Sequence, residues 1–323
     1  MKAALRDRYG SPDVVEVREV DTPQPADNEL LVRVRASSLN IGDWYAVAGK
    51  PYVARGMVGL TKPKDRRLGT DFAGTVEAVG KHVTQFRPGE EVFGGRVGAW
   101  AEFVTVPQER AVVAKPANAT FDEAGAVPVA ALTALQAIRD KGSLQPGQKV
   151  LVNGASGGVG TFAVQIAKAF GGDVTAVCST RNVEQARSLG ADRVVDYTRE
   201  DFTRSGEQFD LMLDVAGSRS WGKCARVLKK GATVVLIGGS KSSALTGPLG
   251  HLGRMLARGK VSSRSVAFFI AKFNKADMAV LAELLETGKM RSVVERTYDL
   301  DEVHDALRLM GEGHVQGKLV LRP

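Results

Sequence analysis

The residues with the clearest chemical use form one run, Gly154-Ala155-Ser156-Gly157-Gly158-Val159-Gly160. It follows directly on Lys149-Val150-Leu151-Val152-Asn153, an apolar segment of strand length. It leads into an apolar-faced helical segment from Thr161 to Phe170 that stops at Gly171-Gly172. A strand that turns through glycines into a helix leaves backbone N–H groups unpaired at the positive end of the helix dipole. A pyrophosphate binds to such an arrangement. Glycine at 157 and 158 removes the Cβ between backbone and phosphate oxygens, and Gly160 lets the helix pack on the strand. Ala155 replaces the first glycine of the usual G-x-G-x-x-G, a small residue that tolerates the turn. A dinucleotide is therefore expected on Ala155, Ser156, Gly157, Gly158, Val159 and Gly160. A purely structural turn is the competing reading.

The choice of dinucleotide follows from the residue roughly 20 positions on, where a chain that prefers NAD carries Asp or Glu for the ribose hydroxyls. Counting from Gly160 lands on Ser179, in Cys178-Ser179-Thr180-Arg181-Asn182. That stretch holds no acid; two hydroxyls and a guanidinium stand there instead. A carboxylate would repel a 2′-phosphate, whereas Arg181 binds one through charge-assisted hydrogen bonds worth roughly 1.5–3 kcal/mol. The expected cofactor is NADP(H), with Ser179, Thr180 and Arg181 at its phosphorylated ribose. The bland alternative for Arg181 is a solvated side chain at a helix start.

The sequence carries no metal motif. His82, His251, His304 and His314 keep no ligand spacing, and Cys178 and Cys224 are too few for a thiolate lobe or a disulfide framework. The net charge of +8 suits an anionic ligand, yet the basic residues are dispersed without interleaved aromatics, so no nucleic-acid partner is expected. Met1 to Asp7 lacks the apolar core of a signal peptide, and no apolar run approaches the ~18 residues that span a bilayer. A cytoplasmic protein with no membrane partner is expected.

These residues must be positioned by a chain of 323 residues, about two domains' worth. Residues 1–115 read as all-β. Val14–Val20 and Leu30–Ala36 alternate apolar with polar, and Phe72–Gly80 and Phe103–Val106 continue the pattern between Gly- and Pro-rich turns, as in a small barrel. Beyond about 120, strands alternate with helices, the grammar of a parallel doubly wound sheet. The expected fold is α/β: a barrel domain over 1–120, completed by 271–323, and a Rossmann nucleotide domain over 121–270. The cleft between two such domains is the default place for a substrate.

The chain resembles the medium-chain dehydrogenase/reductase superfamily, in its zinc-independent quinone oxidoreductase and enone reductase branch. The resemblance rests on Ser38-Leu39-Asn40-Ile41-Gly42-Asp43, Leu68-Gly69-Thr70-Asp71-Phe72-Ala73-Gly74, Arg87-Pro88-Gly89-Glu90-Glu91-Val92, Ala131-Leu132-Thr133-Ala134, the glycine run and Gly317-Lys318-Leu319-Val320-Leu321. It implies a GroES-like barrel as the catalytic domain. Zinc-dependent members carry Cys-His-x-Asp where this chain has Asn40-Ile41-Gly42-Asp43, and Gly-His-Glu where it has Gly69-Thr70-Asp71. Asp43 and Asp71 alone do not make the three-ligand set that a catalytic zinc needs.

Without a Lewis acid nothing lowers the pKa of an alcohol, so hydride addition to an already electrophilic carbon is the easier chemistry. In a quinone or an α,β-unsaturated carbonyl the substrate's own carbonyl delocalises the incoming charge, and one hydrogen bond to the developing enolate assists. The expected activity is an NADPH-dependent, metal-free reduction of such an acceptor. The alternatives are an alcohol dehydrogenase or carbonyl reductase of the same superfamily and, more distantly, a non-enzymatic protein that binds NADPH or nucleic acid.

By resemblance, Asn40 lies near the nicotinamide ribose and orients substrate, Asp43 falls on the motif acid and Tyr45 on its nearby aromatic. Thr133 corresponds to a contact of the nicotinamide end, and Tyr197 to a tyrosine beside the adenosine phosphate. Gly238, Gly239 and Ser240 meet the nicotinamide half, and Phe268 and Phe269 do so or line the cleft. Each has a plainer reading: Asn40 and Asp43 as the cap of a turn, Tyr45 as core, and Phe268 and Phe269 as sheet core or a subunit contact. Val53 to Arg67 differs from the compact members and implies an altered substrate mouth. Lys241 to Lys260, with Leu249, Leu252, Met255 and Leu256 at helical spacing, reads as a second insertion. The resemblance also implies a homodimer, with Val266–Ile270 as its edge strand.

Overall fold

The computed structural model describes residues 1–239 and 249–323. The chain opens with β1 (Lys2–Arg6) paired antiparallel to β2 (Val15–Glu19), followed by the ten-residue β3 (Glu29–Ser38). The stretch expected to be all-β then turns into a helix, α1 (Ile41–Ala48), and a single short turn, α2 (Arg55–Val58). The strand reading missed α1 because its apolar face is only two turns long. Its start is nevertheless encoded, since Asn40 and Asp43 stand at the cap and third helical positions.

Strands β4 (Asp71–Val79), β5 (Glu91–Gly95), β6 (Phe103–Pro107) and β7 (Val112–Ala114) follow, then α3 (Phe121–Gly125) and α4 (Pro128–Gln136). The alternating part runs β8 (Lys149–Asn153), α5 (Gly158–Ala169), β9 (Asp173–Cys178), α6 (Val183–Ser188), β10 (Arg193–Asp196), β11 (Phe209–Asp214), α7 (Trp221–Arg226), β12 (Leu228–Leu236), α8 (Leu249–Lys260) and β13 (Ser265–Phe268). The chain ends with α9 (Lys275–Glu286), β14 (Val294–Asp299), α10 (Val303–Glu312) and β15 (Lys318–Arg322).

Two compact units result, Met1–Leu132 with Lys272–Pro323, and Thr133–Ala271. In the first, the strand order is β14-β15-β3-β4-β5-β7, with β6 also paired to β3. The inward faces of β3, β4, β5, β6 and β7 bury Leu30, Val32, Val34, Phe72, Val76, Val92, Val104, Val106 and Val112 as one core. A second core around the fully buried Trp100 joins Leu39, Val47 of α1, Leu307 of α10 and Leu319 and Leu321 of β15. The α3 segment, expected with the nucleotide domain, belongs to this unit because Phe121 packs beside Ala36 and Val320.

The second unit holds a parallel sheet in the order β10-β9-β8-β11-β12-β13. From β8 the chain winds first to one side, through β9 and β10, and then to the other, through β11. The carboxyl end of β8 is therefore the switch point, where open α/β sheets bind ligands. Helix α8 buries Met255 against this sheet's core. The expected helical spacing over 249–256 is thus a helix, while the preceding part of the expected insertion, 241–248, lies outside the described residues.

Candidate functional site

In the nucleotide unit the glycine run leaves β8 and enters α5. Its start is pinned on one side by the Gly154 and Ala155 N–H groups, which donate to Val177 O at 3.1 and 3.0 Å. On the other side, Val215 and Ala216 N–H both donate to Asn153 O at 3.0 Å. Gly154 needs its glycine for conformation, at φ +94°. Gly160 needs one for space: a Cβ there would meet Gly154 O at 2.1 Å.

Gly157 needs neither. Its backbone is extended at φ −81°, ψ 176°, and a Cβ built on it would meet nothing nearer than Gly154 O at 4.0 Å. The space beside it is left open by the described residues, at the N-terminus of the 12-residue helix α5, which no described side chain caps. The donor set and the open space fit a pyrophosphate.

The expected ribose end lies at the tips of β9 and β10. Ser179 is half-buried, Thr180 and Arg181 are exposed on a single turn over Thr180–Asn182, and Tyr197 N–H donates to Cys178 O at 3.0 Å. Tyr197 itself is exposed. The sequence reading placed no acid here, but β10 supplies one. The Thr180 hydroxyl donates to Asp196 Oδ2 at 2.6 Å, and Thr198 donates to Oδ1 from its hydroxyl at 2.7 Å and its N–H at 3.0 Å. These bonds, with the Thr180 hydroxyl first, hold the Asp196 carboxyl below its usual range, and Arg199 lies 3.4 Å away. Asp196 went unread because it is hydrogen-bonded to Thr180 in the fold and 16 residues away in the chain.

In the barrel unit, Asn40 and Asp43 meet at the start of α1, where the Asn40 N–H donates to Asp43 Oδ2 at 2.8 Å. The plainer reading of the pair as a cap is therefore realised. The Asn40 side chain, which also bonds Asp43, reaches beyond the cap. Its Nδ2 donates to Asp71 Oδ2 at 2.8 Å, and its Oδ1 accepts from Lys318 Nζ. Asp71, on β4, is fully buried; it also accepts from the Ser38 hydroxyl at 2.7 Å and from the Val129 N–H at 2.8 Å, in the first turn of α4. Lys318 Nζ lies 3.4 Å from Asp71 Oδ2, and both side chains are buried. Burial pushes the Lys318 ammonium down while Asp71 and Asp43 oppose the shift.

Burial likewise lifts the Asp43 carboxyl to about 7, with the Asn40 N–H and Lys318 opposing and Asp71 adding. The residue keeps some solvent exposure, which tempers that shift. Tyr45 is half-buried, edge-on to Trp44 at 5.4 Å. Neither Asp71 nor Lys318 was singled out from the sequence for chemistry. The available signal was a charge set within otherwise apolar strand segments, Asp71-Phe72-Ala73 and Lys318-Leu319-Val320-Leu321.

Of the other expected residues, Thr133 is half-buried on α4. Gly238 has a structural need of its own, since a Cβ there would meet Val215 O at 1.9 Å, and Gly239 packs against Gly217. Ser240 lies outside the described residues. Phe268 is exposed on β13 at the sheet's edge, and Phe269 lies under Lys141 Nζ at 6.0 Å. Among the described residues, no three His, Cys, Asp or Glu side chains gather where they could hold a metal ion. No described helix is long and apolar enough to cross a membrane.

Residues 26–117 match the family described as an alcohol dehydrogenase GroES-like domain, and residues 189–321 one described as a zinc-binding dehydrogenase. The mitochondrial NAD(P)H oxidoreductase RTN4IP1 of Mus musculus is 35% identical, covering 99% of this chain and 89% of its own length. The 2-methylene-furan-3-one reductase of Solanum lycopersicum is 32% identical, over 100% of this chain and 79% of its own length. The structure of the quinone oxidoreductase from Coxiella burnetii superposes with a TM-score of 0.87 at 29% identity, over 100% of this chain and 99% of that one.

This chain belongs to the medium-chain dehydrogenase/reductase superfamily. Within it, the chain falls in the zinc-independent quinone oxidoreductase branch. The GroES-like barrel and the Rossmann unit expected from the sequence are those of this superfamily. As a member of it, the protein is an oxidoreductase.

Proposed function

We propose that this dehydrogenase/reductase is an NADPH-dependent, metal-free reductase of quinones or of the C=C bond of α,β-unsaturated carbonyl compounds. The observation that carries the reading is Gly157, a glycine that the fold does not require, set in open space at the uncapped start of α5. Ala155 to Gly160 would hold the pyrophosphate; Ser179, Thr180, Arg181 and Tyr197 the phosphorylated ribose; Thr133, Gly238, Gly239 and Asn40 the nicotinamide half. When bound, the nucleotide supplies the hydride. Asn40 turns its amide nitrogen toward the acceptor's carbonyl oxygen, where negative charge develops. Tyr45 gives an apolar wall beside it. Asp43, with its carboxyl lifted to about 7, exchanges a proton near neutrality.

Support for an acceptor that needs no Lewis acid comes from the donor chemistry, since Asn40 and Thr70 occupy the two ligand positions of the zinc-dependent members. The buried, unpaired thiols of Cys178 and Cys224 fit a reducing compartment, read here as the cytoplasm. The open edge of β13, with Phe268 and Ile270 exposed, supports pairing of two copies. The test is NADPH oxidation with 9,10-phenanthrenequinone and with a short-chain enal, each with and without chelator. Turnover that survives chelation is expected; its loss overturns the metal-free reading. Failure with both acceptors overturns the substrate class.

A further inference from the structure

Asn40 is gripped at both ends of its amide by opposite charges. Its Nδ2 donates to the Asp71 carboxylate at 2.8 Å, and its Oδ1 accepts from the Lys318 ammonium. A carboxamide is nearly symmetric in shape, so packing alone leaves two orientations close in energy. Here charge separates them. Turning the amide over would set Oδ1 against a carboxylate and Nδ2 against an ammonium, trading two attractions for two repulsions in a buried setting.

The two gripping groups are themselves fixed. Asp71 has its other contacts from the Ser38 hydroxyl and the Val129 N–H, and it sits at the start of α4, where the helix dipole favours its charge. Lys318 stands on β15, which pairs with the end of β3, so Ser38, Asp71 and Lys318 lie across three neighbouring strands. Burying an ion pair is a poor route to stability, since desolvation offsets the attraction and apolar replacements often do as well. The pair is better explained by what it orients. Asn40 also bonds Asp43 at the start of α1, and the residue is only half-buried, so one face of its amide reaches the surface of the site.

We propose that Asp71 and Lys318 are positioning residues that lock the Asn40 amide in one orientation, so that substrate and nicotinamide ribose meet its nitrogen and its oxygen in fixed places. The proposal rests on the reading of Asn40 as a site residue. Neither group touches the acceptor; both act through Asn40.

The test is the double variant D71N/K318M beside N40A, in the full-length protein. Without the two charges, the amide is free to turn, because a carboxamide at position 71 can donate to Oδ1 as well as accept from Nδ2. Expected for D71N/K318M is a thermal midpoint near wild type, a kcat about 10- to 100-fold lower, and a KM for NADPH changed less than about threefold. N40A is expected to lose a similar factor in kcat, and adding it to the double variant to cost little more. The Asn40 side-chain amide signals in NMR should be single and slowly exchanging in the wild type, and shifted with faster exchange in D71N/K318M. A folded double variant with wild-type kcat, beside an impaired N40A, overturns the lock alone. A wild-type kcat in N40A overturns the site reading and the lock with it. If the double variant fails to fold, D71N/K318Q, which removes both charges and keeps a hydrogen-bonding group at each position, serves as the second variant, with the same fall in kcat expected and wild-type kcat overturning the lock.

Discussion

The hydroxyl of Thr180 donates to the Asp196 carboxylate at 2.6 Å, across the tips of two adjacent parallel strands. The turn after β9, which lacks an NAD-type acid of its own, therefore has an acid as its neighbour from β10. Arg181 and Arg199 supply the positive charge on that rim, the latter 3.4 Å from Asp196.

Arg181→Ala should weaken NADPH by roughly 10- to 150-fold, the worth of charge-assisted bonds to a phosphate, and leave NADH nearly unchanged. Asp196→Asn removes a repulsion and should tighten NADPH about two- to fivefold, the scale of an exposed charge pair. Fluorescence titration with both nucleotides measures the two variants. Equal losses for NADPH and NADH in Arg181→Ala would sink the assignment.

Gly157 and Gly160 should part company on substitution. Gly157→Ala puts a methyl into open space on an ordinary backbone, so the thermal midpoint should hold while nucleotide affinity falls at least tenfold. Gly160→Ala drives a methyl to 2.1 Å from Gly154 O and should cost about 1–3 kcal/mol of stability whether or not nucleotide is present. Calorimetry with and without NADPH separates the two cases.

Stability around the buried pair should be strongly non-additive. Lys318→Met strands the Asp71 charge and should cost about 3 kcal/mol, whereas D71N/K318M should come within about 1 kcal/mol of wild type. Urea unfolding of the two single variants and the double gives the coupling directly. Additive single costs would show that the charges do not interact.

The raised Asp43 carboxyl gives stability a pH signature. The unfolded group titrates near 4 and the folded one at about 7. The folded state thus binds the extra proton between those values. Stability from this group is fully present below pH ~4, falls as pH rises, and is lost above the folded value. Asp43→Asn should flatten that fall, so its thermal midpoint should rise relative to wild type from pH 5 to pH 8. A constant difference across that range would exclude the shift.

Much of the second unit was legible because its signals are local. The strand at 149–153, the glycine turn and the helix behind it are contiguous, and each reports its own periodicity and backbone need. Strands at 173–178 and 193–196 were likewise readable from short apolar runs. Helix α1 was not, since two turns between strands give too little periodicity to stand out. Gly238 shows the opposite limit: its glycine was read toward a ligand, while the contact that demands it is a backbone oxygen of Val215.

The sequence by itself determined the class of fold, the branch of the family and the glycine turn between β8 and α5, because strand, turn and helix follow one another within a few residues of chain. Only the tertiary structure decided that Lys318 and Asp71 hold Asn40 and that Asp196 holds Thr180. Lys318 and Asn40 are 278 residues apart, and Lys318 and Asp71 are 247. Strand order sets such neighbours, and it is fixed by the burial of the whole sheet rather than by any local pattern.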